Sequence, residues 1–141
     1  MPFLSLSPYN FRNLCNENID LSSKEIYFVG KNGQGKSNLL ESLYYSAYGS
    51  SFRTKNESEM SLRCLFREEN GTSHTTSIIL KEKLKKIEKD GKILHDRKEL
   101  INTMPCVLYS HEDLDFAVGS PERRRFFIDQ SLSMYDVLYI D

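Results

Sequence analysis

Apolar residues recur at helical spacing over residues 36–48, where Leu39, Leu40, Leu43, Tyr44, Ala47 and Tyr48 are expected on one face of a helix. Gly49 stands where a helix C-cap glycine belongs. Before that helix the chain reads as β structure. Phe3-Leu4-Ser5-Leu6-Ser7 alternates at strand period, residues 16–21 suggest a second strand ending at Ser22-Ser23, and residues 25–29 form a short β-prone apolar run. After the helix and a polar loop over residues 50–59, strands are predicted at 61–67 and 75–83, with Asn70-Gly71 as a turn signal between them. A further hairpin is predicted from 84–89 and 92–94 around Asp90-Gly91, a pair suited to a type I′ turn. Residues 104–109 form another short apolar run with Pro105 near its start, read as a strand. Ser120-Pro121-Glu122 then opens a second helix, with serine as N-cap, proline at the first position and an acid in the first turn. No internal repeat or low-complexity linker interrupts the pattern.

The chemistry lies between the 25–29 run and the first helix. Gly30, Lys31, Asn32, Gly33, Gln34, Gly35, Lys36 and Ser37 fit the pattern G-x-x-x-x-G-K-[ST] at every fixed position. Strand, glycine loop and helix in that order is the context in which this pattern cradles phosphate. Gly33 and Gly35 allow backbone conformations in which successive N–H groups point at one anion. The loop runs straight into a helix whose first amides and positive dipole end also favour an anion. Lys36 is placed to reach β- and γ-phosphates, and the Ser37 hydroxyl to ligate Mg²⁺. A glycine turn beside a solvated lysine is the alternative, and the flanking pattern speaks against it.

Composition narrows the classes. The chain has 141 residues, 39% of them hydrophobic and 28% charged, enough for one ordinary globular domain. No apolar run approaches the roughly 20 residues needed to span a bilayer. Met1-Pro2-Phe3-Leu4-Ser5 has neither a basic region nor a long apolar stretch, so no signal peptide is expected. Cys15, Cys64 and Cys106 are odd in number and lack a C-x-x-C pair, and His74, His95 and His111 are scattered. That pattern argues against a disulfide framework or a metal cluster and suits a reducing cytoplasm. With 19 basic and 20 acidic residues the net charge is −1, so contact with nucleic acid would have to be local. Residues 81–98 carry eight Lys or Arg against four Asp or Glu, read as the solvated face of a hairpin.

Several strings together resemble the N-terminal part of the RecF family, recombination and repair ATPases related to the SMC and Rad50 heads. They are Asn10-Phe11-Arg12-Asn13, the loop and helix start over residues 30–41, Gly49-Ser50-Ser51-Phe52-Arg53 and His111-Glu112-Asp113-Leu114. To these add Gly119-Ser120-Pro121-Glu122-Arg123-Arg124-Arg125-Phe126, with Asp129 nearby. The phosphate loop alone is shared by a vast superfamily, whereas the later strings in this order are far more specific. The resemblance covers nearly the whole chain, although residues 67–98 match by layout alone. It implies an α/β P-loop NTPase fold, the first lobe of an ABC-type ATPase head with a mostly antiparallel β layer around a strand–P-loop–helix unit.

The resemblance further implies an ATP-dependent homodimer that binds duplex or gapped DNA in the cytoplasm. Such heads assist RecA loading with RecR in recombinational repair, replication and the SOS response. By position, residues 30–37 would bind ATP and Mg²⁺, with Arg12 near the nucleotide or only a surface arginine after a strand. Glu112 and Asp113 would fall in a loop sensing γ-phosphate and Mg²⁺, or serve only as first-turn acids of a helix. Arg123, Arg124 and Arg125 would touch DNA phosphate or a partner, or only form ion pairs on a helix surface.

The pattern also departs from the family. An acid after a hydrophobic strand, which holds Mg²⁺ and orients water, and a serine-glycine signature are both expected of such a head and are not found. Val137-Leu138-Tyr139-Ile140-Asp141 imitates the first but reads better as helix. A single incomplete unit, residues 1–141, is expected, a truncated form with turnover lost. Two other readings stay open: a catalytically dead nucleotide-binding remnant, and a small unrelated P-loop GTPase or kinase. The lack of an N-K-x-D guanine-reading motif counts against the GTPase.

Overall fold

The computed structural model describes residues 3–54, 58–68, 70–96, 99–100, 103–104, 106–109 and 119–132. Among them, six strands form one antiparallel sheet. They are β1 (Phe3–Tyr9), β2 (Ile19–Asp20), β3 (Met60–Arg67), β4 (Ser73–Lys81), β5 (Leu84–Lys89) and β6 (Lys92–Ile93), in the order β2-β1-β3-β4-β5-β6. Helix α1 (Lys36–Tyr48) lies against β3 and β4, and α2 (Pro121–Leu132) follows near the end of the described chain.

Period-two patterning in β3 explains which side of the sheet holds the core. Met60, Leu62, Cys64 and Phe66 are buried, while Arg63 and Arg67 between them stay in water. Leu62 faces Ile78 and Met60 faces Leu80 across the β3–β4 ladder, so apolar pairs stack along one face. Leu6 of β1 and Tyr45, Ala47 and Tyr48 of α1 complete this cluster. Phe11 meets Tyr45 edge-on at 5.9 Å, and Tyr44 stacks on Tyr48 at 4.4 Å. The C-terminus of α1 is closed by Gly49, whose φ of 67° suits a residue without Cβ and whose amide donates to the Tyr45 carbonyl. Lys85 of β5 donates to the Gly49 carbonyl at 2.9 Å, placing a cation at the negative end of the helix.

The hairpins follow the expected layout with one shift. Asp90 and Gly91 both have positive φ, as a type I′ turn requires. Lys81 pairs with Leu84, so β4 ends two residues before the predicted limit and Glu82-Lys83 form the turn. Both hold positive φ, 52° and 64°, which neither residue type advertises.

Three expectations change. Residues 25–29, read as the strand feeding the loop, join no ladder among the described residues. A strand exists only where a neighbour supplies its hydrogen bonds, and the six-stranded sheet lies elsewhere. Residues 104–109, read as a strand, likewise join no ladder among their described residues, 104 and 106–109. Glu99, Leu100 and Thr103, just before that run, are helical. Helix α1 also buries a face that hydrophobicity did not mark: Glu41, Ser42 and Ser46 are inside, whereas Leu40 is exposed. The predicted acid-tipped segment at residues 137–141 lies outside the described residues.

Candidate phosphate-binding site

The loop takes its shape from backbone freedom and a few side-chain bonds. Gly33 and Gly35 have φ of 83° and 96°, the left-handed region that side chains disfavour. A Cβ on Gly35 would stand 2.8 Å from Asn13 Oδ1, so the close approach of residue 13 also demands glycine. Gln34 folds back to accept the Lys31 amide at 3.0 Å. Gly35 is the N-cap of α1 and offers no side-chain cap, and no acid stands in the first turn. The opening amides of α1 are therefore left for an external anion.

Lys36 Nζ donates to the Gly30 carbonyl at 2.7 Å and the Lys31 carbonyl at 2.8 Å. The ammonium is thus held against the loop's own carbonyls. Beside it an open cleft of about 330 Å³ is lined by Leu14, Tyr27, Phe28, Val29, Gln34, Gly35, Lys36 and Leu39.

A polar network ties the loop to the rest of the lobe. Asn13 Nδ2 donates to the Gly33 carbonyl at 2.8 Å, and Asn38 Nδ2 donates to Asn13 Oδ1 at 2.7 Å. Arg53 Nη1 donates to Asn38 Oδ1 at 2.7 Å and lies 3.5 Å from Glu41 Oε2. Arg12 Nη2 and Ser51 Oγ both donate to Glu41 Oε1, at 2.7 and 2.6 Å. Burial works to raise the Glu41 pKa, but the bonds from Arg12 and Ser51 and the charges of Arg12 and Arg53 outweigh it. Its carboxyl is held below the ordinary value of 4.5.

Residues 30–37 thus lead into the N-terminus of α1, and Arg12 is tied to the second turn of that helix through Glu41. Glu112 and Asp113 lie outside the described residues, as does the side chain of Arg123. Arg124 and Arg125 are exposed on α2. Arg124 reaches the Gly119 carbonyl at 3.4 Å, and neither arginine bonds to the loop among the described residues. Asn13, Asn38, Glu41, Ser51 and Arg53 were not singled out as site residues. Their trace was in the strings Asn10-Phe11-Arg12-Asn13 and Gly49-Ser50-Ser51-Phe52-Arg53, but only the fold brings those strings to one helix end.

Residues 5–107 match the family model described as AAA domain. The chain belongs to the AAA domain family. It is 50% identical over 146 aligned positions to the DNA replication and repair protein RecF of Treponema pallidum, covering 96% of this chain and 41% of that protein. It is 37% identical to RecF of Chlamydia caviae, over 99% of this chain and 40% of that one. The chain therefore spans about two-fifths of the length of these relatives, their N-terminal part. Among solved structures it resembles the recombination mediator protein RecF-ATPrS of the RecFOR pathway. The TM-score is 0.82 at 28% identity, over 97% of this chain and 39% of that one. The corresponding RecF-ATP structure gives a TM-score of 0.81 at 27% identity. The α/β fold and the likeness to a RecF ATPase head inferred from the motifs are both borne out.

Proposed function

We propose that this chain binds ATP through residues 30–37 and is the nucleotide-holding part of a RecF-type DNA replication and repair protein. The observation that carries the reading is the α1 N-terminus, where amides without a side-chain cap, left-handed Gly33 and Gly35, and the Lys36 ammonium are brought together at one loop-to-helix junction. The backbone amides and Lys36 would hold the phosphates, and Arg12 would stand at the rim. The donor set also fits Mg²⁺ in one respect. Ser37 offers a hydroxyl at the first turn, and a magnesium ion takes its remaining ligands from phosphate oxygens and water.

The relatives named RecF, and the structure of RecF with ATP, support extending this reading to ATP rather than GTP and to work on DNA. DNA, RecR, the RecA pathway and an ATP-closed homodimer belong to the proposal for the whole protein. Arg123, Arg124 and Arg125 are its candidate contacts to DNA phosphate or a partner, and Glu112 and Asp113 its candidate γ-phosphate and Mg²⁺ sensors. A cytoplasmic setting is part of the same proposal. No helix of the described residues is long and apolar enough to cross a membrane.

Binding of a fluorescent ATP analogue to this chain, with ATP and GTP as competitors, tests the proposal. ATP should displace the probe better than GTP, and Lys36→Ala should weaken binding at least tenfold, since it removes a charge-assisted contact. Equal binding by Lys36→Ala would refute the loop as the site.

A further inference from the structure

We propose that Glu41 is a positioning residue: it holds the guanidinium groups of Arg12 and Arg53 at the rim of the phosphate loop, where they meet the phosphates of the bound nucleotide. The inference rests on the nucleotide-binding reading and adds two residues to it, Glu41 and Arg53.

A glutamate in the first half of an exposed helix would ordinarily face water. Glu41 is instead fully buried at 0% exposure, and its neighbours Ser42 and Tyr45 are buried with it. Burying a carboxylate is costly unless it is paired and hydrogen-bonded, and here three side chains converge on it. Arg12 and Ser51 bind Oε1, and Arg53 approaches Oε2. Two arginines for one carboxylate leave one positive charge in surplus, beside a loop built for a polyanion. Neither guanidinium is consumed by the pairing, because the side chains keep 29% and 49% of their surface in water. An arginine has five N–H donors, and those not bound to Glu41 and Asn38 can turn outward.

The network also reaches the loop itself. From Glu41 it runs through Arg53, Asn38 and Asn13 to the Gly33 carbonyl. Arg12 adds a second sign of constraint. Its φ is 55°, a left-handed conformation that a bulky residue adopts only when its surroundings enforce it. Such strain persists where a side chain must point in one direction, and here that direction is toward Glu41.

Electrostatics makes the positioning role separable from a bare charge effect. If Glu41 acted only through its charge, replacing it by glutamine would make the rim more positive and tighten phosphate binding. If it positions the arginines, the same replacement frees them and weakens binding. The sign of the change decides.

The experiment measures nucleotide Kd for ATP and ADP with the parent chain, Lys36→Ala, Arg53→Gln, Glu41→Gln and the Arg53→Gln/Glu41→Gln double variant. All are compared at a temperature where thermal melts show each one folded. Arg53→Gln should weaken binding about tenfold, the scale of one charge-assisted hydrogen bond. Glu41→Gln should weaken it several-fold, and the double variant should be within about twofold of the weaker single, because coupled residues are not additive. Unchanged or tighter binding in Glu41→Gln, or fully additive losses, would overturn the proposal. If Lys36→Ala binds as well as the parent, the nucleotide reading falls and this inference with it. If only Lys36→Ala loses affinity, this inference alone falls. Should Glu41→Gln not fold, Ser51→Ala takes its place by removing one hydrogen bond from the same carboxylate. Weaker binding supports the proposal and unchanged binding overturns it.

Discussion

Glu41 concentrates the residue-scale physics. Its folded pKa is depressed below 4.5, so an unfolded chain takes up that proton first as the pH falls. The stabilisation from its ion pairs is therefore complete above about pH 4.5 and drains away as the pH drops through the lower folded value. Asp90 acts in the same direction below its ordinary 3.8, held down first by the Thr75 amide and then by the His74 side chain. These two carboxylates should make stability fall as the pH drops below about 4.5. The denaturant midpoint of Glu41→Gln should fall less steeply over the same range. Parallel slopes in parent and variant would show that the carboxylate is not the titrating group.

At the scale of elements, the strands that exist are those with a backbone partner in the six-stranded ladder. The 25–29 run has the composition of a strand, but it has no ladder partner among the described residues, and Tyr27 and Val29 are 80% and 93% exposed. Residues 106–109 share that condition, with Val107 and Tyr109 both exposed. Amide hydrogen exchange should separate the two classes. Central β3 and β4 are expected to exchange slowest, while residues 26–29 and 106–109 lose protection in the first time points. Slow exchange at residues 26–29 would mean that this segment has found a backbone partner. Composition made both runs look alike to β3, and only the ladder distinguishes them. The same holds for the turn at Glu82-Lys83, where two-residue closure of the hairpin forces positive φ on residues chosen for solubility.

For the whole molecule, burial sorts the three cysteines, which are all free. Burial and the neighbouring Cys106 push the Cys64 thiol up to about 12, and burial pushes Cys106 up to about 11. A thiol reagent at pH 8 should therefore label exposed Cys15 at once, Cys106 slowly and Cys64 only on unfolding. Rapid labelling of Cys64 in the folded chain would contradict the packing of β3 against α1. The sequence by itself determined the phosphate loop, helix α1, the alternating strands and the Asp90-Gly91 turn. Each rests on short-range constraints: glycine conformations, side-chain periodicity and turn chemistry act within a few residues. Only the tertiary structure decided which apolar runs became strands, that Glu41 would be buried, and that Arg12 and Arg53 would share it. Those outcomes depend on residues far apart in sequence meeting in space, as Arg12 and Glu41 do across 29 positions, and no local pattern encodes such a meeting.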